Sequence, residues 1–335
     1  MSKPSDWQQI NEAAIRQRLQ PVTAARDGTL CAEPAGVHFV TVTKSGGELR
    51  LWLIEQVRPS TGVIQSELHL DDPLRLADPY TQAAMLGLLW QPRPQHAYIA
   101  GFGAGRVPML LHHHFPALQV QCTDIDPTVV AIALKYFGVQ PDGRLQVAIA
   151  DGRGWLAQQP PDRRFDFVYV DVFLDNGYVP YRLSTVEFFT ECRDRLTADG
   201  VLVVNLLYED PYMADRLATI AAAFDTVTVC PLGEDNDVVF AARGPAVDKE
   251  ALIERAKALQ AEHGFHFPFV RHALALRPAV EIESQRPAMV LRDDSPPDGY
   301  FDALPSFDTA FSRVAPELPC PCGSGLAYAA CHGTS

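Results

Sequence analysis

The sequence predicts an α/β fold in which a mostly parallel sheet is covered by helices on both faces. Two observations support this prediction. Between residues 97 and 207, short apolar segments alternate with segments of helical pattern, and near-continuous apolar strands are typical of a sheet buried on both faces. The first apolar segment also runs directly into a glycine-rich loop at residues 101–105, as expected at the carboxyl edge of such a sheet.

The composition is that of a globular protein. The chain has 335 residues, 47% hydrophobic and 21% charged, which suits one large core with appendages. Its net charge of −13 disfavours nucleic acid as a partner, because proteins that bind the phosphate backbone are usually basic. No apolar run approaches the ~20 residues of a membrane helix, so no membrane partner is expected. The polar N-terminus and the odd number of cysteines, seven, argue against a secreted disulfide scaffold and predict a cytoplasmic protein.

From the N-terminus, the first predicted elements are a helix and a hairpin unit. Residues 6–19 have apolar side chains spaced for one helix face, within an N-terminal helical arm assigned to residues 1–36. Residues 37–78 contain short β-rich segments separated by turn residues, which predicts an antiparallel β-hairpin unit. A helix then begins at Pro79, because proline is favoured in the first turn, and it opens a central domain of residues 79–245.

The central domain alternates strands and helices. Predicted strands lie at residues 97–100, 118–126, 145–151, 165–171 and 201–207, and predicted helices lie at 106–115, 127–137 and 185–196. The segments DTVTVC and DVVFAAR then predict an antiparallel pair that closes the sheet. Residues 246–310 follow as a helical extension, with a helix at 247–262, and a linker rich in Asp, Pro and Ser. A cysteine-rich module occupies residues 316–335.

Glycines and carboxylates fall at the ends of four predicted strands. The loop 101–105 follows the first strand, and Asp124, Asp151 and Asp171 end the next three. In an open parallel sheet, ligands bind at this edge, where glycines let backbone N–H groups approach and an acid about twenty residues further on can hold ribose hydroxyls. The sequence therefore predicts a nucleoside site at this edge, although each aspartate alone could equally be a helix N-cap.

The form of the glycine loop narrows the class of nucleoside. The loop reads G-x-G-x-G, and Arg106 stands where a dinucleotide-binding loop has its last glycine. This favours an adenosyl-sulfonium nucleoside over a dinucleotide.

Three segments between residues 62 and 243 match the motifs of a known family, in the same order. They are VIQSE at 63–67, QCTDID at 121–126 and YVDVFLDNGYVPYRLSTVEFF at 169–189. These segments resemble the spermidine synthase family of aminopropyltransferases. The resemblance implies a Rossmann-like fold of the class I S-adenosylmethionine methyltransferase type. It also implies transfer of an aminopropyl group from decarboxylated S-adenosylmethionine to a small amine acceptor, and a homodimer.

The resemblance implies a role for each matching residue. The residues that it implies for donor binding are Gln65, Gly101, Gly103, Gly105, Asp124, Asp151 and Gly152, with Asp124 on the ribose and the pair 151–152 on the adenine. The catalytic residues that it implies are Asp171 as the general base, Tyr80, and Asp175 as an approximate second acid. A base fits this chemistry, because an ammonium group with a pKa near ~10.4 cannot attack until a carboxylate accepts its proton.

Two positions depart from the family pattern, and both concern charges that hold amines. The glycine loop has Ala104 where synthases usually carry an aspartate, and Gln82 stands where the family has the glutamate of its Tyr-x-Glu step. Asp71, Asp72 or Glu67 could supply the missing acceptor charge.

These departures leave two alternative functions open. Arg106 could meet the carboxylate of intact S-adenosylmethionine, so an S-adenosylmethionine-dependent methyltransferase is the first alternative. The second is a non-catalytic nucleoside-binding adaptor that presents the cysteine-rich module to a partner. Such a binder would have no need of a base at Asp171.

The cysteine-rich module reads PCPCGSGLAYAACHG at residues 319–333 and closely resembles the SEC-C motif. Three thiolates and one imidazole form a complete tetrahedral zinc set, supplied by Cys320, Cys322, Cys331 and His332. Four protein ligands close the coordination sphere, so we predict a structural zinc ion rather than a catalytic one. A module this short has little core of its own, and a docking role toward a protein partner is expected.

Two further groups of residues are interpreted as structural. Three consecutive histidines at 112–114 point about 100° apart on a helix and share no ligand face, so we predict that they form an exposed helix end. The aromatic side chains of Trp155, Phe188 and Phe189 are predicted to belong to the core.

Overall fold

Two β-sheets organise the protein. The structure, a computed structural model, describes residues 6–36, 38–55, 62–173, 179–207, 210–233, 236–281 and 287–296. The first sheet is antiparallel, with its four strands in sequence order: β1 (Gly28–Ala35), β2 (His38–Ser45), β3 (Glu48–Glu55) and β4 (Gly62–His69).

The second sheet forms the centre of the molecule. Its strands are β5 (His96–Ala100), β6 (Gln119–Asp124), β7 (Leu145–Ile149), β8 (Phe165–Val170), β9 (Leu196–Leu207), β10 (Thr226–Pro231), β11 (Asn236–Ala242) and β12 (Arg277–Pro278). Their order is β12-β10-β11-β9-β8-β5-β6-β7, and the strands from β9 to β7 are parallel. The chain leaves β5 toward β6 on one side and later returns to β8 on the other. The carboxyl end of β5 is therefore the switch point at which ligands bind in such sheets.

Helices cover both faces of this sheet. They are α1 (Asp6–Ala24), α2 (Pro79–Ala84), α3 (Arg106–His114), α4 (Pro127–Tyr136), α5 (Gly152–Ala157), α6 (Val186–Arg195), α7 (Met213–Ala223), α8 (Lys249–His263) and α9 (Phe269–Ala275). Short 3-10 helices lie at Met85–Leu89, Tyr181–Leu183 and Ala279–Glu281. Alternate residues of the central strands β5, β8, β9 and β11 enter two apolar clusters, as Tyr98 and Ile99 of β5 do on opposite faces.

The predicted parallel sheet and its closing antiparallel pair, now β10 and β11, are confirmed. Strand β1 was not predicted and falls within the segment interpreted as a helical arm. It is an edge strand, and an edge tolerates Pro34, which a central strand would exclude. Phe188 and Phe189 are buried in the core as predicted, and Trp155 stacks on Tyr98 at its margin.

The prediction that the histidines at 112–114 form an exposed helix end is wrong. His112 and His113 are buried, because α1 packs over the end of α3. Trp7 Nε1 donates to the carbonyl of His113, and Asn11 Nδ2 lies 3.1 Å from His113 Nδ1. Burial lowers the pKa of His113 to about 4, so this imidazole is neutral at physiological pH.

The start of the predicted linker is bound to the core. Arg153 forms ion pairs with Glu191 and Asp293 at 2.6 and 2.7 Å, and Thr185 Oγ1 donates to Asp293 at 2.7 Å. Residues 292–296 therefore belong to the folded unit. Within the described ranges, we find no helix long and apolar enough to cross a bilayer.

Candidate active site

A cavity of about 290 Å³, called here the site cavity, opens at the carboxyl end of β5. It brings together predicted residues from several elements: Gln65, Tyr80, Gly101, Gly103, Asp124, Asp151, Gly152 and Asp171. Gly105 is the N-cap of α3 and is not among the residues that line the site cavity. Asp175 lies outside the described residues.

The glycine loop 101–105 requires its glycines for steric reasons. Gly101, Gly103 and Gly105 have φ values of 93°, 51° and 69°, which side-chain-bearing residues rarely adopt. A Cβ on Gly101 would overlap the carbonyl oxygen of Asp171, and one on Gly105 would lie 2.9 Å from the Phe102 ring. The loop thus packs directly between the end of β8 and the start of α3.

Asp124 ends β6 and holds the glycine loop in place. Its Oδ2 accepts the backbone N–H groups of Phe102 and Gly103 at 3.1 Å, and its Oδ1 accepts that of Asp126 at 3.0 Å. Burial raises the pKa of Asp124, and the three N–H donors oppose that shift. Oδ2 thus uses both of its lone pairs, and Oδ1 retains one for a ligand hydroxyl.

Asp151 and Gly152 form the neighbouring wall, at the start of α5. Asp151 Oδ1 accepts the N–H of Gly154 at 2.7 Å, so Asp151 is both a helix N-cap and a cavity residue. The Tyr98 hydroxyl donates to the Gly152 carbonyl at 2.7 Å. A Cβ on Gly152 would lie 3.0 Å from that of Ala100, so the backbone at Gly152 packs more closely against β5 than a larger residue would allow.

Asp171 follows β8 on the opposite side of the cavity. Its N–H donates to the carbonyl of Ala100 at 2.8 Å, and its Oδ1 accepts a hydrogen bond from Asn205 Nδ2 at 2.9 Å. Burial raises the pKa of Asp171 to about 6, while Asn205 and the hydroxyl of Tyr169 stabilise the carboxylate. A carboxylate with a raised pKa is a stronger base than a solvated one.

Tyr80 and Asp78 approach Asp171 from α2. Burial and the carboxylates of Asp171 and Asp78 raise the pKa of Tyr80, so the hydroxyl stays protonated. Asp78 is the N-cap residue of α2, yet its carboxylate accepts none of the N–H groups of that helix in the described structure. Burial, Glu67 and Asp171 raise the pKa of Asp78 to about 6, and Arg106 opposes them.

Sequence reasoning missed Asp78 and Asn205. An aspartate before Pro79 is the ordinary pattern of a helix start, and Asn205 lies within an otherwise apolar strand. The sequence did carry a signal for Asn205, since an amide between Val204 and Leu206 interrupts a run of apolar residues.

The residues suggested as substitutes for the acceptor charge are engaged elsewhere. Glu67 forms an ion pair with Arg50 at 2.6 Å, and Asp72 forms one with His266 at 2.7 Å. Asp71 and Asp72 line a different cavity, between α1, α3 and α8.

Arg106 also has a structural role. Its side chain is only 5% exposed, and Nη2 donates to the carbonyls of Pro73 and Arg75 at 2.6 and 3.0 Å. It thereby anchors the turn that leads to Asp78. Arg106 also lines the site cavity, and its Nε and Nη1 have no hydrogen-bond partner among the described residues, so the suggested contact with a substrate carboxylate stays a prediction.

The predicted zinc ligands Cys320, Cys322, Cys331 and His332 lie outside the described residues. Within the described ranges, no group of three or more His, Cys, Asp or Glu side chains could hold a metal ion.

Comparison with known proteins identifies the family. Residues 81–231 match the family model described as the spermine/spermidine synthase domain, and residues 318–334 match the SEC-C motif. A polyamine aminopropyltransferase of Vibrio vulnificus is 31% identical over 225 residues, which cover 66% of this chain and 70% of the relative. The chain belongs to the spermine/spermidine synthase family.

Solved structures agree with the fold of this spermine/spermidine synthase family member. A probable spermidine synthase from Corynebacterium glutamicum superposes with a TM-score of 0.62 at 18% identity, over 82% of this chain and 98% of that one. Human methyltransferase-like protein 13 in complex with SAH superposes with a TM-score of 0.52 at 26% identity, over 56% of this chain and 93% of that one. The predicted Rossmann-like fold is confirmed.

Proposed function

We propose that this protein transfers an aminopropyl group from decarboxylated S-adenosylmethionine to an amine acceptor. The observation that carries the proposal is the convergence of Asp124, Asp151 and Asp171 on one cavity at the switch point of the sheet. The protein also belongs to a family whose curated members include polyamine aminopropyltransferases.

The donor lies along the glycine loop in this proposal. Asp124 accepts a ribose hydroxyl with the remaining lone pair of Oδ1, and Asp151 with the backbone at Gly152 reads the adenine. Gln65 closes the pocket from β4. The complex of a structural relative with SAH supports an adenosyl ligand on this fold.

The chemical step is a displacement at carbon. The lone pair of the acceptor nitrogen attacks the methylene next to the sulfonium, a C–N bond forms and the C–S bond breaks. The electron pair of that bond goes to sulfur, which releases methylthioadenosine. Asp171 takes the proton from the attacking nitrogen, and the cavity holds donor and acceptor in line.

Asp78 binds the charged end of the acceptor. It takes the role of the family glutamate that is Gln82 here, since the Gln82 amide already donates to the carbonyl of Leu76 at 2.8 Å. The charges of Asp78 and Asp171 repel each other, and a cationic amine between them would relieve that repulsion.

We further propose a structural zinc ion in the SEC-C module, held by Cys320, Cys322, Cys331 and His332. Three thiolates and one imidazole are the donor set of closed zinc sites, and such an ion would fold the module for docking to a protein partner. The four cysteines in the described ranges are free thiols, which fits a reducing, cytoplasmic location.

The test is turnover by the purified full chain. Decarboxylated S-adenosylmethionine is incubated with a panel of diamines and polyamines, and the aminopropylated acceptor is detected by mass spectrometry. We expect product with the wild type and a loss of about 100-fold or more in Asp171→Asn, since a general base contributes about that much. Absence of product with every acceptor would overturn the proposed function, and unchanged turnover in Asp171→Asn would overturn the assignment of the base.

A further inference from the structure

Two amides, the buried Asn205 and the half-buried Asn236, form a hydrogen-bonded chain that ends on Asp171. Asn236 Nδ2 donates to Asn205 Oδ1 at 2.9 Å, and Asn205 Nδ2 donates to Asp171 Oδ1 at 2.9 Å. The three residues come from β11, from β9 and from the end of β8, which are neighbours in the sheet. The chain therefore runs across the sheet toward the site cavity.

The chemistry of the groups fixes the direction of this chain. An ionised carboxylate only accepts hydrogen bonds, so Asn205 must turn its NH₂ group toward Asp171. The oxygen of Asn205 then faces β11, where the NH₂ group of Asn236 donates to it. Asn236 thus holds Asn205 in the one orientation that supports the charged form of Asp171.

Packing alone does not explain an amide at this position. Asn205 is only 2% exposed and belongs to a strand whose residues from Val201 to Leu206 are otherwise buried and apolar. A buried polar group costs free energy unless it is hydrogen-bonded, so an apolar residue would serve the core better. The contact with Asp171 is the feature that an apolar side chain could not supply.

We propose that Asn205, oriented by Asn236, is a positioning residue for the general base: it engages Oδ1 of Asp171 and leaves Oδ2 to accept the proton of the amine. This inference rests on the proposed function of Asp171. It adds that the two carboxylate oxygens have different roles: Oδ1 is held by Asn205, and Oδ2 faces the substrate.

Several groups face Asp171, and they determine how the proposal is tested. Tyr80 and Asp78 approach from α2, Tyr169 lies on β8 and Asn205 on β9. Asn205 stabilises the charged carboxylate, so loss of its donor raises the pKa of Asp171. Because Asp78 titrates in the same range, the measurement is made in an Asp78→Asn background.

The experiment is a carbon-detected NMR titration of the Asp171 carboxyl in the full chain, assigned by the loss of its signal in Asp171→Asn. Asn205→Leu keeps the branched shape of the side chain and removes the donor. We expect its titration midpoint to rise by about one pH unit, which is the scale of one hydrogen bond to a charge. Asn236→Ala, at the less buried end of the chain, removes the donor that orients Asn205 without adding a charge and should move the midpoint in the same direction.

The acid limb of the kcat/KM profile for aminopropyl transfer should move by the same amount, with donor affinity unchanged. If Asn205→Leu does not fold, Asn236→Ala provides the same readouts. A wild type that forms no product would overturn the proposed function. An active wild type whose midpoint and acid limb are unmoved in the variants would overturn the role of Asn205.

Discussion

The backbone of Gly101 packs against the carbonyl group of Asp171, with no space between them for a side chain. The N–H of Asp171 also donates to the carbonyl of Ala100 at 2.8 Å, so the ends of β5 and β8 are joined at this point. The loop that would bind the donor and the residue that would act as the base are thus fixed relative to each other. Their spacing does not depend on a flexible side chain.

Substitution Gly101→Ala should separate these two parts of the site. The new methyl group overlaps Asp171, so we expect both a lower free energy of unfolding and a loss of turnover. Gly47→Ala is the matched control: φ at Gly47 is 91° against 93° at Gly101, and no described atom lies within 4 Å of its added Cβ. Urea denaturation should show Gly101→Ala about 1–3 kcal/mol less stable than the control. Equal stability and full activity would show that the close packing is unimportant.

Asp171→Asn should stabilise the protein while it abolishes activity. The folded-state pKa of Asp171, about 6, lies above its ordinary value of 3.8, so folding favours the protonated form. Stability from this group is present at low pH and is lost as pH rises through about 6. At pH 7.5 we expect the variant to gain about 1–3 kcal/mol, with a smaller gain at pH 5. Urea denaturation at both pH values checks this, with the exposed Asp199→Asn as a control. An Asp171→Asn variant less stable than the wild type at pH 7.5 would contradict this prediction.

Asp124→Ala should weaken donor binding. The substitution removes the acceptor of two loop N–H groups and the proposed partner of the ribose. A hydrogen bond to a charged group is worth about 1.5–3 kcal/mol, so the Kd for methylthioadenosine should rise about tenfold or more. Calorimetry measures this change. Asp248→Ala, which removes the N-cap of α8 instead, should bind normally. An unchanged Kd for methylthioadenosine in Asp124→Ala would argue against the donor site.

Asp78→Asn should weaken acceptor binding without weakening donor binding. Loss of the charge removes the proposed partner of the ammonium group, so KM for the amine should rise roughly tenfold or more. Steady-state kinetics with varied amine measures the effect. Asp72→Asn, in the cavity beside α1, should leave the KM unchanged. Equal KM values in the two variants would exclude Asp78 from acceptor recognition.

The SEC-C module should carry one zinc ion per chain. Elemental analysis of the purified protein measures it, and Cys322→Ser and His332→Ala should lower the content because each removes a ligand. Cys31→Ser, which changes a half-buried free thiol of β1, should retain zinc. A wild type without zinc would refute the metal prediction.

Much of the site could be predicted from the sequence because it depends on strand ends. Asp124, Asp151 and Asp171 follow apolar strands, and a parallel sheet brings such ends to one edge. The residues that were missed depend on tertiary contacts. Asn205 can be recognised as a site residue only when it is seen beside Asp171 at the end of the next strand. Asp78 can be recognised only because α2 begins near Asp171.

The error over the histidines has the same physical origin. The helix end at 112–114 looks exposed when α3 is considered alone, and only the packing of α1 buries His112 and His113. Helical period predicts a face of a helix, but it does not predict what covers that face.

Product identity tests the central claim most directly. Wild type and Asp171→Asn are incubated with decarboxylated or intact S-adenosylmethionine and the same amines, and methylthioadenosine and S-adenosylhomocysteine are quantified together. The account predicts methylthioadenosine from the decarboxylated donor, dependent on both the amine and Asp171. Formation of S-adenosylhomocysteine from the intact donor in place of methylthioadenosine would show methyl transfer and contradict the account.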